Sequence, residues 1–298
     1  VSDSRAPRRR PPARPTTPHP LLRRADPRPG SYPIDTGTAD LLPDGDGAGG
    51  WTVAVNGVPS SYVHLGDPTR LDFEYVQWTG HIVDAVAAPG TPISAVHIGG
   101  AGCTLALYTA TTRPRSRQLV LDVDAALIAL TRRAFGLKHV PGLRLKAADG
   151  RTGLAGLADA SADIVIRDAF DHRHVPPHLT TVEYHQEVAR VLRPGGIHVA
   201  NVADNVGVRE SRIEAAAARA TFSHVAMIAE PAQLRGRRYG NVLVVAATAP
   251  LPHDTLVRRL AGGSVRARYV APDRVAELAA GAHPRVDAHL ATPPSEPG

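Results

Sequence analysis

The apolar positions change period along the chain, and each change marks an element. In WTVAVNGVPSSYVHL, Trp51, Val53 and Val55 alternate with other residues, the period of a half-buried strand, and Asn56-Gly57 is the dipeptide of a tight hairpin. With the segment IDTGTADLL, read as a further strand, residues 34–65 are expected to form two or three antiparallel strands. From Leu71 to Ala88 the apolar spacing (Phe73, Val76, Val83, Val86) turns helical. Short apolar runs then alternate with helical stretches. The runs are ISAVHI, RQLVLDVD, LRLKAADG, ADIVIRDAFD and PGGIHVANVAD; TLALYTATT, AALIALTRRAFGL, TTVEYHQEVARVL and RESRIEAAAARA read as helices. VAMIAE is a further strand, and RRYGNVLVVAATA is long enough to return antiparallel beside it. This order predicts an α/β fold: a doubly wound, mainly parallel sheet with an antiparallel last strand, preceded by a small β-hairpin domain.

Composition sets the expected boundaries. Residues 1–30 are rich in Pro and Arg and are expected to be a disordered tail, because they offer little apolar surface to offset the entropy of ordering. Residues 31–70 form the expected hairpin domain, 71–282 the α/β domain, and 283–298 a flexible C-terminal tail. Of 34 basic and 28 acidic residues, the first 30 positions hold 8 and 2, which leaves 26 of each for the rest. The expected folded core is thus neutral overall, and no nucleic-acid partner is expected for it. A single cysteine, Cys103, excludes a disulfide framework, and no cysteine-based metal site is expected. No apolar run reaches the roughly 18 residues of a membrane helix, and the first residues lack the apolar core of a secretory signal; a cytoplasmic location without membrane attachment is expected.

In an open α/β sheet, ligands bind beyond the carboxyl ends of the strands. Four successive strand ends carry candidate groups. Gly99-Gly100-Ala101-Gly102 is a turn that lets a ligand approach the backbone at a helix start. Asp122, with Asp124 two residues on, is placed to accept both hydroxyls of a ribose, although Asp124 suits a helix N-cap better. Asp149 precedes Gly150 and serves equally as a turn former. Asp168 and Asp171 follow the fourth run and are suited to holding a cation or acting as a base. Four such ends in order point to a nucleoside-binding α/β enzyme. The turn lacks the G-x-G-x-x-G spacing of a dinucleotide site, and the antiparallel pair at 223–247 resembles the sheet ending of S-adenosylmethionine-dependent methyltransferases.

Over residues 34–250 the sequence resembles the spermidine synthase (polyamine aminopropyltransferase) family, in its bacterial spermidine synthase-like branch. The motifs are FEYVQWTGHIVDA, IGGAG, LVLDVD, AADG and IVIRDAFDHRHVPPHLTTVEYHQEVARVLRPGGIHVANV. The resemblance implies a hairpin domain before a methyltransferase-like Rossmann domain. It implies transfer of the aminopropyl group of decarboxylated S-adenosylmethionine to a diamine such as putrescine, with release of methylthioadenosine. That donor is a co-substrate, and no tightly bound cofactor or metal is implied. Gly99, Gly100, Gly102, Asp122 and Asp149 would bind the donor nucleoside, Asp122 at the ribose and Asp149 at the adenine amino group. Asp168 would hold and deprotonate the attacking amine, and Tyr75 and Asp171 would line the amine site. His81 occupies a further position of the motif. Beyond a small polyamine the sequence implies no partner; it neither requires nor excludes a homodimer.

Two departures bear on donor and chemistry. Gly102 stands where the family has an Asp that pairs with the donor's propylamine, and Ala169-Phe170-Asp171-His172 replaces the usual S-S-D-P. Methyl transfer from S-adenosylmethionine, and a non-catalytic nucleoside-binding homologue, therefore stay open beside aminopropyl transfer, since fold alone does not fix chemistry. His172, His174 and His178 lie near the expected site but read as a solvated loop rather than a metal centre.

Overall fold

Four antiparallel strands, β1 (Gly30–Ile34), β2 (Gly37–Pro43), β3 (Gly50–Val55) and β4 (Val58–His64), pair in chain order as the first sheet. The computed structural model describes residues 17–290 except 46, 101, 172, 173, 206 and 264. Asn56 and Gly57, both with positive φ, turn β3 into β4 as the sequence predicts. IDTGTADLL supplies one strand, β2, after a reversal at Asp35-Thr36, whose amides both bond to the Asp124 carboxylate; the fourth strand, β1, comes from Gly30–Ile34, ahead of that segment but for Ile34.

The second unit begins with α1 (Glu74–Ala85), β5 (Ser94–Ile98), α2 (Thr104–Thr112), β6 (Arg117–Asp122), α3 (Ala125–Ala134), β7 (Leu143–Ala147), α4 (Gly150–Ala155) and β8 (Ala162–Arg167). It continues through α5 (Val182–Val191), β9 (Leu192–Asp204), α6 (Arg209–Arg219), β10 (His224–Ala229), α7 (Pro231–Leu234) and β11 (Gly240–Ala247). It closes with α8 (His253–Gly262), β12 (Arg268–Val270), α9 (Pro272–Leu278) and α10 (Asp287–Leu290). The eight strands run in the order β12-β10-β11-β9-β8-β5-β6-β7. β7, β6, β5, β8 and β9 are parallel; β11 is antiparallel to both β9 and β10. β12, α8 and α9 are elements the hydrophobic pattern did not reveal.

Helices cover both faces of this sheet, which is why its strands read as continuous apolar runs. Ile164 and Ile166 of β8 pack with α1 and α8, while Val165 between them packs with α5 and α6. A third cluster joins the first sheet to the second unit: Ile34, Leu41, Val53 and Val63 meet Leu107 of α2 and Leu127 and Leu130 of α3.

Both expected tails need correction where the structure describes them. Residues 1–16 and 291–298 lie outside the described residues. Within 17–30, Leu22 is fully buried in the third cluster, the His19 amide donates to the Leu65 carbonyl, and the Asp26 amide donates to the Ala134 carbonyl. One well-placed leucine anchors the segment, a signal that composition averaged over 30 residues hides. Within 283–290, Asp287 accepts both guanidinium nitrogens of Arg151 at 2.6 Å, Arg285 pairs with Glu210, and the Val182 amide donates to the Arg285 carbonyl.

Candidate active site

The sheet order places the strand ends side by side. β5 connects to β6 and β7 on one flank, while β8 and β9 lie on the other, so the order reverses between β5 and β8. That reversal opens a crevice. The ladder runs on past the strands: the Gly99 amide bonds to Leu121 O, the Ala148 amide to Asp122 O, and the Asp168 amide to Ile98 O, at 2.8–2.9 Å. These bonds hold Asp149, Asp122, Gly99 and Asp168 level along one edge. A cavity of about 940 Å³ lies there, lined by Tyr75, Gly99, Gly100, Asp122, Asp149, Asp168 and Asp171 among others. Among its described lining residues are five aspartates and no Lys or Arg.

Gly99 is fixed by sterics. Its φ is +75°, and a Cβ there would sit 2.4 Å from the Asp168 carbonyl oxygen. The absence of a side chain thus lets the β5 turn lie against the end of β8. Gly102, expected beside the donor, does not line the cavity. It faces the first sheet, where its amide donates to Ser61 Oγ at 3.0 Å and a Cβ would meet Ser61 Cβ at 2.9 Å. A side chain at this position would have to displace Ser61. Ala101 lies outside the described residues.

Asp122 ends β6 and lines the cavity; one of its oxygens accepts from the Asp124 amide. Asp124 is the N-cap of α3 and clamps the first sheet in place, accepting from Leu127 N, Thr36 N and Thr36 Oγ1 at 2.7–2.8 Å. The clamp brings the hairpin tips over the cavity, where Thr36, Asn56 and Val58 form part of the wall. Asp149 caps α4 through the Thr152 amide and also meets His178 Nε2 at 2.6 Å. Burial favours its neutral form, but the Thr152 amide and His178 outweigh burial and hold the carboxyl below its ordinary range.

Asp168 is held from both sides. Tyr75 Oη donates to Oδ2 at 3.2 Å, and Asn201 Nδ2 donates to Oδ1 at 2.8 Å. Burial raises its pKa, and the two hydrogen bonds only partly oppose the rise. Tyr75 is pushed well above the usual phenol value by burial and by the adjacent Asp168 charge. Asp171 lies at the exposed end of the cavity, in a short bridge with His174. His81 is half-buried beside Gly263 and does not line the cavity. His172 lies outside the described residues.

Asn201 was not singled out from the sequence. Its signal was a lone amide in the apolar run of β9, the strand beside β8 in the parallel sheet. Tyr239 and Asn241, which also line the cavity, come from the start of β11. Their placement depends on antiparallel β9–β11 pairing, with Leu243 opposite Asn201, and no local pattern announces that register.

No family model matches the chain. A probable spermidine synthase from Corynebacterium glutamicum is 33% identical, with 91% of this chain and all of that one covered, at a TM-score of 0.82. A spermidine synthase in complex with the transition state analogue AdoDATO is 17% identical, with 84% of each chain covered and a TM-score of 0.57, a likeness of fold. A polyamine aminopropyltransferase from Vibrio vulnificus is 24% identical over 194 residues, 64% of this chain. The match spans 62% of that relative's length, less than two thirds.

Proposed function

We infer, from the premise that this chain belongs to the spermidine synthase family, that it is an aminopropyltransferase acting from decarboxylated S-adenosylmethionine on a diamine such as putrescine. The observation that carries the reading is the cavity edge itself: Asp168 at the switch point, held by Tyr75 and Asn201, in a wall whose described residues include five aspartates and no Lys or Arg.

In this reading Asp122 takes the ribose hydroxyls and Asp149 the adenine amino group. An acidic wall concentrates cations. It also suits a donor without a carboxylate, because no described lining residue carries a positive charge to pair one. The acceptor amine has a solution pKa near ~10 and arrives mostly protonated. Asp168 anchors that ammonium and takes or relays its proton; burial, which raises the carboxyl pKa, makes the group a better base. The freed nitrogen pair then forms a bond to the donor's propyl carbon. The carbon–sulfur bond breaks, its electron pair stays on sulfur, and the sulfonium leaves as the neutral thioether methylthioadenosine. Alignment of nitrogen, carbon and sulfur supplies much of the remaining acceleration. Asp171 at the outer end is placed for the distal ammonium. With Gly102 packed against Ser61, the donor's own amine is left to the remaining carboxylates.

The test is product identification by mass spectrometry after incubation with decarboxylated or intact S-adenosylmethionine and putrescine. Methylthioadenosine and spermidine, formed from the decarboxylated donor only, are expected. S-adenosylhomocysteine would make the protein a methyltransferase, and no turnover of either donor would make it a non-catalytic nucleoside binder.

A further inference from the structure

The balanced charge of residues 31–298 conceals a local excess of one sign. A second cleft, of about 340 Å³, lies at the C-terminal end of α3. Arg24, Arg132, Arg133, Lys138 and His139 line it, with Ala129 and Gly136 and no carboxylate. These five side chains are exposed. Between Ala125 and Ala148 the sequence has five Lys or Arg residues, both lysines of the chain included, and no Asp or Glu.

Some arginines of this fold are neutralised by a carboxylate partner, as are Arg151, Arg190 and Arg285. Among the described residues, Arg24, Arg132, Arg133 and Lys138 have none; Arg132 meets only the Leu145 carbonyl. The helix dipole explains two cations in the last turn of α3. It does not explain Lys138 and His139 beyond the helix, or Arg24, which reaches the cleft from a distant part of the chain. That segment is seated there by packing: a Cβ at Gly136, where φ is +64°, would lie 2.9 Å from the Arg24 carbonyl carbon.

We propose that this cleft binds the phosphate backbone of duplex nucleic acid without reading its sequence. Converging unpaired guanidinium and ammonium groups match phosphate oxygens. The lining has no Phe, Tyr or Trp on which an unpaired base would stack. None of the exposed large apolar side chains lies in it, so nothing there inserts into a bilayer.

The test is fluorescence anisotropy of a labelled 20-base-pair duplex titrated with the full chain at several salt concentrations. Three proteins are compared: wild type, the triple variant R132Q/R133Q/K138Q, and a chain lacking residues 1–16, which carry five arginines of their own. Binding by the wild type is expected to weaken with salt. The triple variant should bind at least tenfold more weakly, with the slope of log K against log salt reduced by about 2–3, one phosphate contact per lost charge. Its melting temperature and transferase turnover should match the wild type, since the three side chains are exposed and none lines the acidic cavity. Three results would overturn the proposal: no duplex binding at low salt, loss of all binding on removing residues 1–16 with the triple variant unchanged, or capture by anionic phosphatidylserine vesicles in place of the duplex.

Discussion

Gly99 and Gly102 belong to one turn and do opposite work. At Gly99 the backbone needs a left-handed φ and has a carbonyl oxygen where Cβ would be. Gly99→Ala should therefore cost about 2–3 kcal/mol, the upper part of the range for single substitutions, and should displace the Asp168 backbone. Denaturant titration checks the first outcome; methylthioadenosine affinity, which should fall with it, checks the second. At Gly102 the obstacle is Ser61. Gly102→Asp alone should lower the melting temperature and leave donor affinity no better, because a side chain there would have to displace Ser61. The position of Gly102 in the motif was legible in the sequence, but its direction was not, since it depends on how the first sheet packs.

At the scale of elements, the parallel strands and their acidic ends were legible because each is a local pattern: an apolar run followed by Asp or Gly. The ordered chain ends were not, because single contacts with distant elements anchor them. Leu22→Ala should cost about 2–5 kcal/mol, the range for emptying a buried leucine site, and thermal unfolding would reveal it. A fully solvated segment would show no change. The Arg151 fork to Asp287 ties the C-terminal segment to the wall that carries His178, which in turn meets Asp149. Asp287→Ala should weaken methylthioadenosine binding by a few-fold in calorimetry with little effect on turnover at saturating donor. Equal affinity in both proteins would show that the segment only covers the surface.

At the scale of the whole molecule, two buried histidines make the fold sensitive to acid. Burial lowers His97 to about 4, against its bond to Gln118, and burial lowers His198 to about 3, with His185 adding to the effect. The unfolded chain takes up these protons near pH 6.5 and the folded chain does not, so stability falls as pH drops below about 6.5. Each histidine costs up to about 1.4 kcal/mol per pH unit until its folded value is reached. Melting temperature should decline steadily from pH 7 to pH 5, and less steeply in His198→Phe. The acidic cavity and the fold that builds it meet at Asp168, so its charge is the central claim. Asp168→Asn keeps the shape and removes the base. With decarboxylated S-adenosylmethionine and putrescine, methylthioadenosine release should fall by about 10²–10⁴ while methylthioadenosine affinity stays within about twofold. Release at the wild-type rate by the Asn variant would contradict the account.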